Sequence, residues 1–198
     1  MSNEVVVFDT EFTAWRGSVE RAWNGPGEFR EIVQIGAVRL DATTLAETAS
    51  FSILIRPKLN PVLSDYFVAL TRITNERISH EGVEFASGAS AFAAFVGERR
   101  MYCYGRDDRI IAANAERLGM PEQWANTTGV NLRQWLVDIG IAVAGVSSGT
   151  LARHVGSVSQ GMAHDALIDA RSLAEAVRYL VKMGAPNPFR DSGSARLS

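Results

Sequence analysis

Val5-Val6-Val7-Phe8-Asp9-Thr10-Glu11-Phe12 is an apolar run interrupted by two carboxylates two positions apart. The β-branched and aromatic residues predict a strand, and apolar neighbours on both faces predict a buried one. Side chains at i and i+2 of a strand leave the same face, so Asp9 and Glu11 project side by side. Two carboxylates roughly 7 Å apart by strand rise repel by roughly 2 kcal/mol at an effective dielectric near 20, and desolvation adds to that cost. A cation between them removes the conflict, so the stretch points to a metal site.

Outward from this strand, Thr13 to Arg30 is a loop rich in Gly, Arg and Trp, long enough to suggest a function of its own. Glu31 to Leu40 and Thr48 to Pro57 then read as a hairpin with a short turn. Strand one and the hairpin make three strands, most simply antiparallel. The pattern next becomes helical over Ala86 to Gly97. A short strand is expected over Arg100 to Gly105, a helix from Asp107 to Leu118, a short strand over Thr127 to Leu132 and a helix from Arg133 to Ile139. A long helix closes the pattern from Asp165 to Met183, with Leu167, Ala170, Ala174, Val177 and Val181 as its stripe. The fold class is α/β: a mixed sheet with helices packed on it. One domain is expected over residues 1–183, with a frayed tail over 184–198.

The 198 residues carry a formal net charge of −2, with 46% hydrophobic and 21% charged residues. That is the composition of an ordinary globular protein. A long grip on duplex nucleic acid would call for a basic excess, whereas a strand end or short oligomer would not. Cys103 stands alone, which excludes an internal disulfide and a cysteine-rich zinc site. No signal peptide or membrane span is read, so a cytoplasmic protein with no membrane partner is expected.

Two further segments carry candidate chemistry. In Tyr104-Gly105-Arg106-Asp107-Asp108 a strand runs into a helix. Asp108 shares a helical face with Ile111, Ala112 and Ala115 and is expected to turn inward, leaving Asp107 to cap the helix. In His164-Asp165-Ala166-Leu167-Ile168-Asp169 the histidine and the second aspartate lie about 140° apart on an ideal helix. His164 must therefore sit in the entry loop to reach Asp169. His80, His154 and Cys103 are read as structural.

Together these segments resemble the DEDDh 3′–5′ exonucleases of the ribonuclease H-like superfamily, which include proofreading exonuclease domains, ribonuclease T and oligoribonuclease-type enzymes. The first motif matches as Phe8-Asp9-Thr10-Glu11, the second aspartate as Asp108, and the third motif as His164 with Asp169. Glu31 to Val38 is similar to the family's second strand, and Leu70 to Thr74 to a segment that meets the substrate end. The resemblance implies a ribonuclease H-like sheet of five strands, three antiparallel followed by parallel ones.

It also implies two divalent cations, Mg²⁺ or Mn²⁺. Asp9 would bridge both, Glu11 and Asp169 would hold the first, and Asp108 the second. His164 is implied as the proton acceptor, and Thr10, Phe12, Trp15, Leu70 and Tyr104 as substrate contacts. The implied partners are single-stranded RNA or DNA 3′ ends or short oligonucleotides. Related domains often form homodimers, and no exposed apolar stripe in this chain demands one. A catalytically silent end-binding protein on the same fold and an endonuclease are the competing readings.

Overall fold

A computed structural model describes residues 3–120, 129–158 and 161–190. Five strands form one sheet in the order β3-β2-β1-β4-β5, with β1 at Glu4–Phe12, β2 at Ile32–Asp41, β3 at Glu47–Leu54, β4 at Met101–Cys103 and β5 at Gly129–Asn131. β1 pairs antiparallel with β2, and β2 with β3. β4 lies parallel to β1, and β5 parallel to β4. This is the expected mixed sheet of three antiparallel strands followed by parallel ones. Thr127 and Thr128 of the expected fifth strand lie outside the described residues.

Seven helices are described: α1 (Asp65–Thr71), α2 (Asn75–Glu81), α3 (Phe85–Val96), α4 (Asp107–Arg117), α5 (Leu132–Asp138), α6 (Ser148–His154) and α7 (Ala166–Lys182). The alternation of β1 builds two cores. Val5 and Val7 face α5, α6 and α7, while Val6 and Phe8 face α3 and α4. A third, smaller cluster joins α1 and α2 to Val33, Leu54 and Ala14. Helices α1, α2 and α6 had no expected counterpart. They have 7 residues each, two turns in which a hydrophobic stripe is weak; α5, equally short, is the one that was expected. Their caps were legible: Ser64 and Thr74 accept N–H bonds at two of them, and Ser147 with Thr150 forms a capping box at the third.

The chain beyond Gly184, expected to fray, packs at least to Phe189. That ring meets Tyr102 edge-on at 4.7 Å, and the Asn187 amide donates to the Ala42 carbonyl. Residues 191–198 of the expected tail lie outside the described residues. Among the described residues, no helix is long and apolar enough to cross a membrane.

Candidate active site

β1 delivers Asp9 and Glu11 to the sheet face covered by α7, as the two-residue period requires. What brings the third motif against them is a close crossing. A Cβ built on Gly36 of β2 would lie 2.0 Å from the Leu167 nitrogen and 2.2 Å from the Ala166 carbonyl carbon, so only glycine lets α7 approach. Gln34, two residues earlier on the same face, pins the helix start. Its amide nitrogen donates to Asp165, and its amide oxygen accepts from the Ala166 N–H at 3.0 Å. Asp165 is the N-cap of α7, accepting from Leu167 and Ile168.

His164 immediately precedes that cap, at φ 70° in the left-handed region. A non-glycine residue held there is strained backbone of the kind that marks functional sites. The strain is compensated locally, because the His164 N–H donates to both Asp169 carboxylate oxygens at 3.2 and 3.3 Å. The turn also carries the ring across the 140° that an ideal helix would have imposed. A ring nitrogen of His164 and carboxylate oxygens of Glu11 and Asp169 all lie within 4.8 Å of one another.

The fourth carboxylate differs from the expected one. Asp107 turns toward β1 and accepts from the Thr10 hydroxyl at 2.6 Å, lining the same pocket as Asp9, Glu11, His164 and Asp169. Asp108 turns the other way. Its carboxylate accepts two N–H bonds from Arg106 and one from Gly129 at the start of β5. The inward turn expected of Asp108 does occur, but toward the β5 side of the helix. The expected cap role of Asp107 is absent too, since Arg106 is the N-cap and has no side-chain cap bond. Thr10 is engaged by Asp107 rather than free.

Four buried carboxylates raise one another's proton affinity. Asp9 is held well above the usual carboxylate range, first by burial and then by the charges of Asp107, Asp169 and Glu11. Glu11 is raised by burial and by Asp169 and Asp107. Burial pushes Asp107 up to about 6 and Asp169 up to about 7. Ser148 at the start of α6 lines the same cavity, and a Cβ on Gly149 would stand 2.3 Å from an Asp169 oxygen. Such a group is uncomfortable without positive charge, and its oxygen donors suit a hard divalent cation. His164 is lowered by burial, which favours the neutral ring.

Around these acids lies a cavity of about 340 Å³. The structure brings Phe12, Trp15, Leu70 and Tyr104 to its lining, joined by Tyr66 and Trp23, which sequence reading did not place there. The 13–30 loop is tied down by the Trp23 indole donating to the Thr13 carbonyl at 2.8 Å, by an Arg21–Glu28 ion pair and by the Phe12–Trp23 edge contact. Helix α1 is held over the cavity by the Ser64 hydroxyl donating to the Ala14 carbonyl. Glu31 fixes the segment before it by accepting the backbone N–H groups of Leu59 and Asn60. Cys103 is buried off the cavity, its thiol pushed up to about 12, and His154 hydrogen-bonds the Ala142 carbonyl; neither lines the cavity.

The exonuclease family model of the RNase T type matches residues 6–177, nearly the whole fold just described. The chain belongs to this exonuclease family. The resemblance read from the motifs is thereby met at the level of the family. No curated protein matches the chain. Among solved structures it is similar to the nuclease domain of 3′hExo, a DEDDh family member bound to rAMP, at 18% identity and TM-score 0.77, covering 93% of this chain and 94% of that one. It is also similar to cell-death related nuclease 4 (CRN-4), at 20% identity and TM-score 0.72, covering 92% and 65%. A third similar structure is the E. coli ExoI–ssDNA complex in its zinc-bound form, at 15% identity and TM-score 0.69, covering 93% and 41%. These likenesses establish the fold, and the family match makes the chain an exonuclease by class.

Proposed function

We propose that this exonuclease removes nucleotides one at a time from the 3′ end of single-stranded RNA or DNA. The observation that carries the reading is the convergence of Asp9, Glu11, Asp107 and Asp169 from three distant segments, with the His164 ring beside Glu11 and Asp169. Asp107 takes the place in the ligand set that the sequence reading gave to Asp108.

Asp9, Glu11, Asp107 and Asp169 would hold the divalent cations, Mg²⁺ or Mn²⁺. When bound there, such cations acidify a water and neutralise charge at the scissile phosphate. The chain's own residues supply the rest. The neutral His164 ring takes the proton of the attacking water. The water oxygen bonds to phosphorus, and the bond to the O3′ of the preceding nucleotide breaks. O3′ leaves with a proton, and a nucleoside 5′-monophosphate is released. Phe12, Trp15, Leu70 and Tyr104 offer apolar and aromatic surface to the terminal base, a contact worth roughly 1–3 kcal/mol and indifferent to sequence.

Product analysis on matched 5′-labelled RNA and DNA oligomers tests this reading. A ladder shortening by single nucleotides, dependent on Mg²⁺ or Mn²⁺ and stopped by EDTA, is the expected result. Internal fragments at early times would make it an endonuclease. Binding without turnover would make it a silent end-binding protein.

A further inference from the structure

The active-site cavity opens sideways into a second groove of about 490 Å³, with Phe12, Trp23, Arg106 and Ile110 common to both. One wall is the 13–30 loop, the other is α4. Along α4 the groove is lined at positions 106, 109, 110, 113 and 117, the spacing of a single helical face. Three of the five are arginines, and Ala113 keeps the centre open. Arg30 faces them from the loop.

Arg106 is paired with Asp108 at 3.1 Å, while Arg109, Arg117 and Arg30 are positioned without a close counter-charge among the described residues. Arg117 stacks on the Phe29 ring at 3.9 Å, and Arg30 on the Trp23 ring at 4.3 Å. Among the described residues neither has an ion pair. The Arg30 Nε is buried with no hydrogen-bond partner. Arg109 reaches Asp108 only at 3.9 Å. Glu28, the carboxylate on the loop side, is already paired with Arg21. Elsewhere exposed arginines are matched by glutamates, as in Arg56–Glu84, Arg77–Glu81 and Arg171–Glu47. On a chain of net charge −2, a basic groove continuous with the acidic pocket is a local device.

Stacking immobilises a guanidinium plane while leaving N–H donors on its edge for phosphate. We propose that the groove between α4 and the 13–30 loop is a track for the sugar–phosphate backbone of the strand whose end occupies the acidic pocket. The occupant is a single-stranded nucleic acid held through its phosphates without regard to base. This rests on the exonuclease reading and extends it, giving a role to the 13–30 loop and a reason for a length preference. Residues 109 and 117 lie about 12 Å apart along the helix axis, far enough to face more than one phosphate.

The test is made on the full chain with Arg109→Ser/Arg117→Ser, two exposed positions, using oligonucleotides of 2 and 12 nucleotides. Binding is read by fluorescence anisotropy in EDTA, which needs no catalysis, and turnover in Mg²⁺. Affinity for the 12-mer is expected to fall about tenfold, and the slope of log K against log salt to shrink by about 1.4, the counterions of two phosphate contacts on a single strand. The KM for the 12-mer should rise in parallel, while the dinucleotide shifts less than twofold. Equal effects on both lengths, or none on either, would overturn the track. So would a polyglutamate peptide displacing the 12-mer as well as a competing oligonucleotide does, which would make the groove a site for an acidic protein. Wild-type chain that binds the 12-mer with this dependence but releases no mononucleotide would refute the exonuclease reading and leave the track standing.

Discussion

β1 and the start of α4 each carry two acids close together in sequence, and they use them in opposite ways. On β1, Asp9 and Glu11 are separated by one residue and enter the same cavity. On α4, Asp107 and Asp108 are adjacent and part company: one accepts from Thr10 on β1, the other from Gly129 on β5. The strand period is two, so its directions follow from sequence alone. Neighbours on a helix diverge by about 100°, and which of them faces a site depends on where the helix axis lies. Here that is set by contacts with strands distant in sequence.

Four substitutions probe the difference. Asp9→Ala removes the acid at the centre of the cluster and should take hydrolysis to the background rate, read as release of mononucleotides by the purified, folded variant; full activity would contradict the metal assignment. His164→Ala should lower turnover by about 10²–10⁴ while Mn²⁺ binding is largely kept. A variant with the wild-type rate and pH profile would remove His164 from proton transfer. The α4 pair gives the sharpest contrast. Asp107→Asn should cost about a hundredfold in turnover, as expected for losing roughly 3 kcal/mol of charge stabilisation. Asp108→Asn should stay within about twofold of wild type yet lose about 1–3 kcal/mol of stability by urea unfolding, because it breaks a buried, charge-assisted hydrogen-bond group. Reversed results at 107 and 108 would restore the assignment first read from sequence.

Smaller effects should appear in stability against pH. The acids of the cavity have raised proton affinities in the folded chain, Asp107 to about 6 and Asp169 to about 7. Below the ordinary carboxylate range both folded and unfolded states are protonated, and the groups cost nothing. As pH rises from about 4 to about 7 the unfolded chain releases protons first, so stability falls, and above that window the full penalty applies. Metal-free protein should therefore melt higher at pH 5 than at pH 8. A saturating divalent cation should raise the melting temperature by about 5–10 °C at pH 8 and by less at pH 5. Equal shifts at both pH values would mean that the cation binds elsewhere.

Much of this architecture was readable because it rests on short-range periodicities. The buried β1 run, the β2–β3 hairpin and the stripe of α7 each announce themselves. Gly36 and Gln34 lay inside a strand already quoted, but their purpose became visible only when α7 was found crossing them. Which of Asp107 and Asp108 faces the cavity was not readable, since it is a tertiary fact. Ser148 and Gly149 escaped because α6 is short, although the Ser147–Thr150 pattern signalled its start. The arginines of α4 were countable from the start, and their common groove emerged only when the 13–30 loop folded back against them.

The cage itself is best tested by titrating Mn²⁺ into metal-free protein and following the free ion by electron paramagnetic resonance. Wild type and Asp108→Asn should take up the cation alike, with up to two ions per chain, whereas Asp9→Asn/Asp107→Asn should leave it free over the same range. Undiminished uptake by that double variant would show that these carboxylates are not what holds the metal.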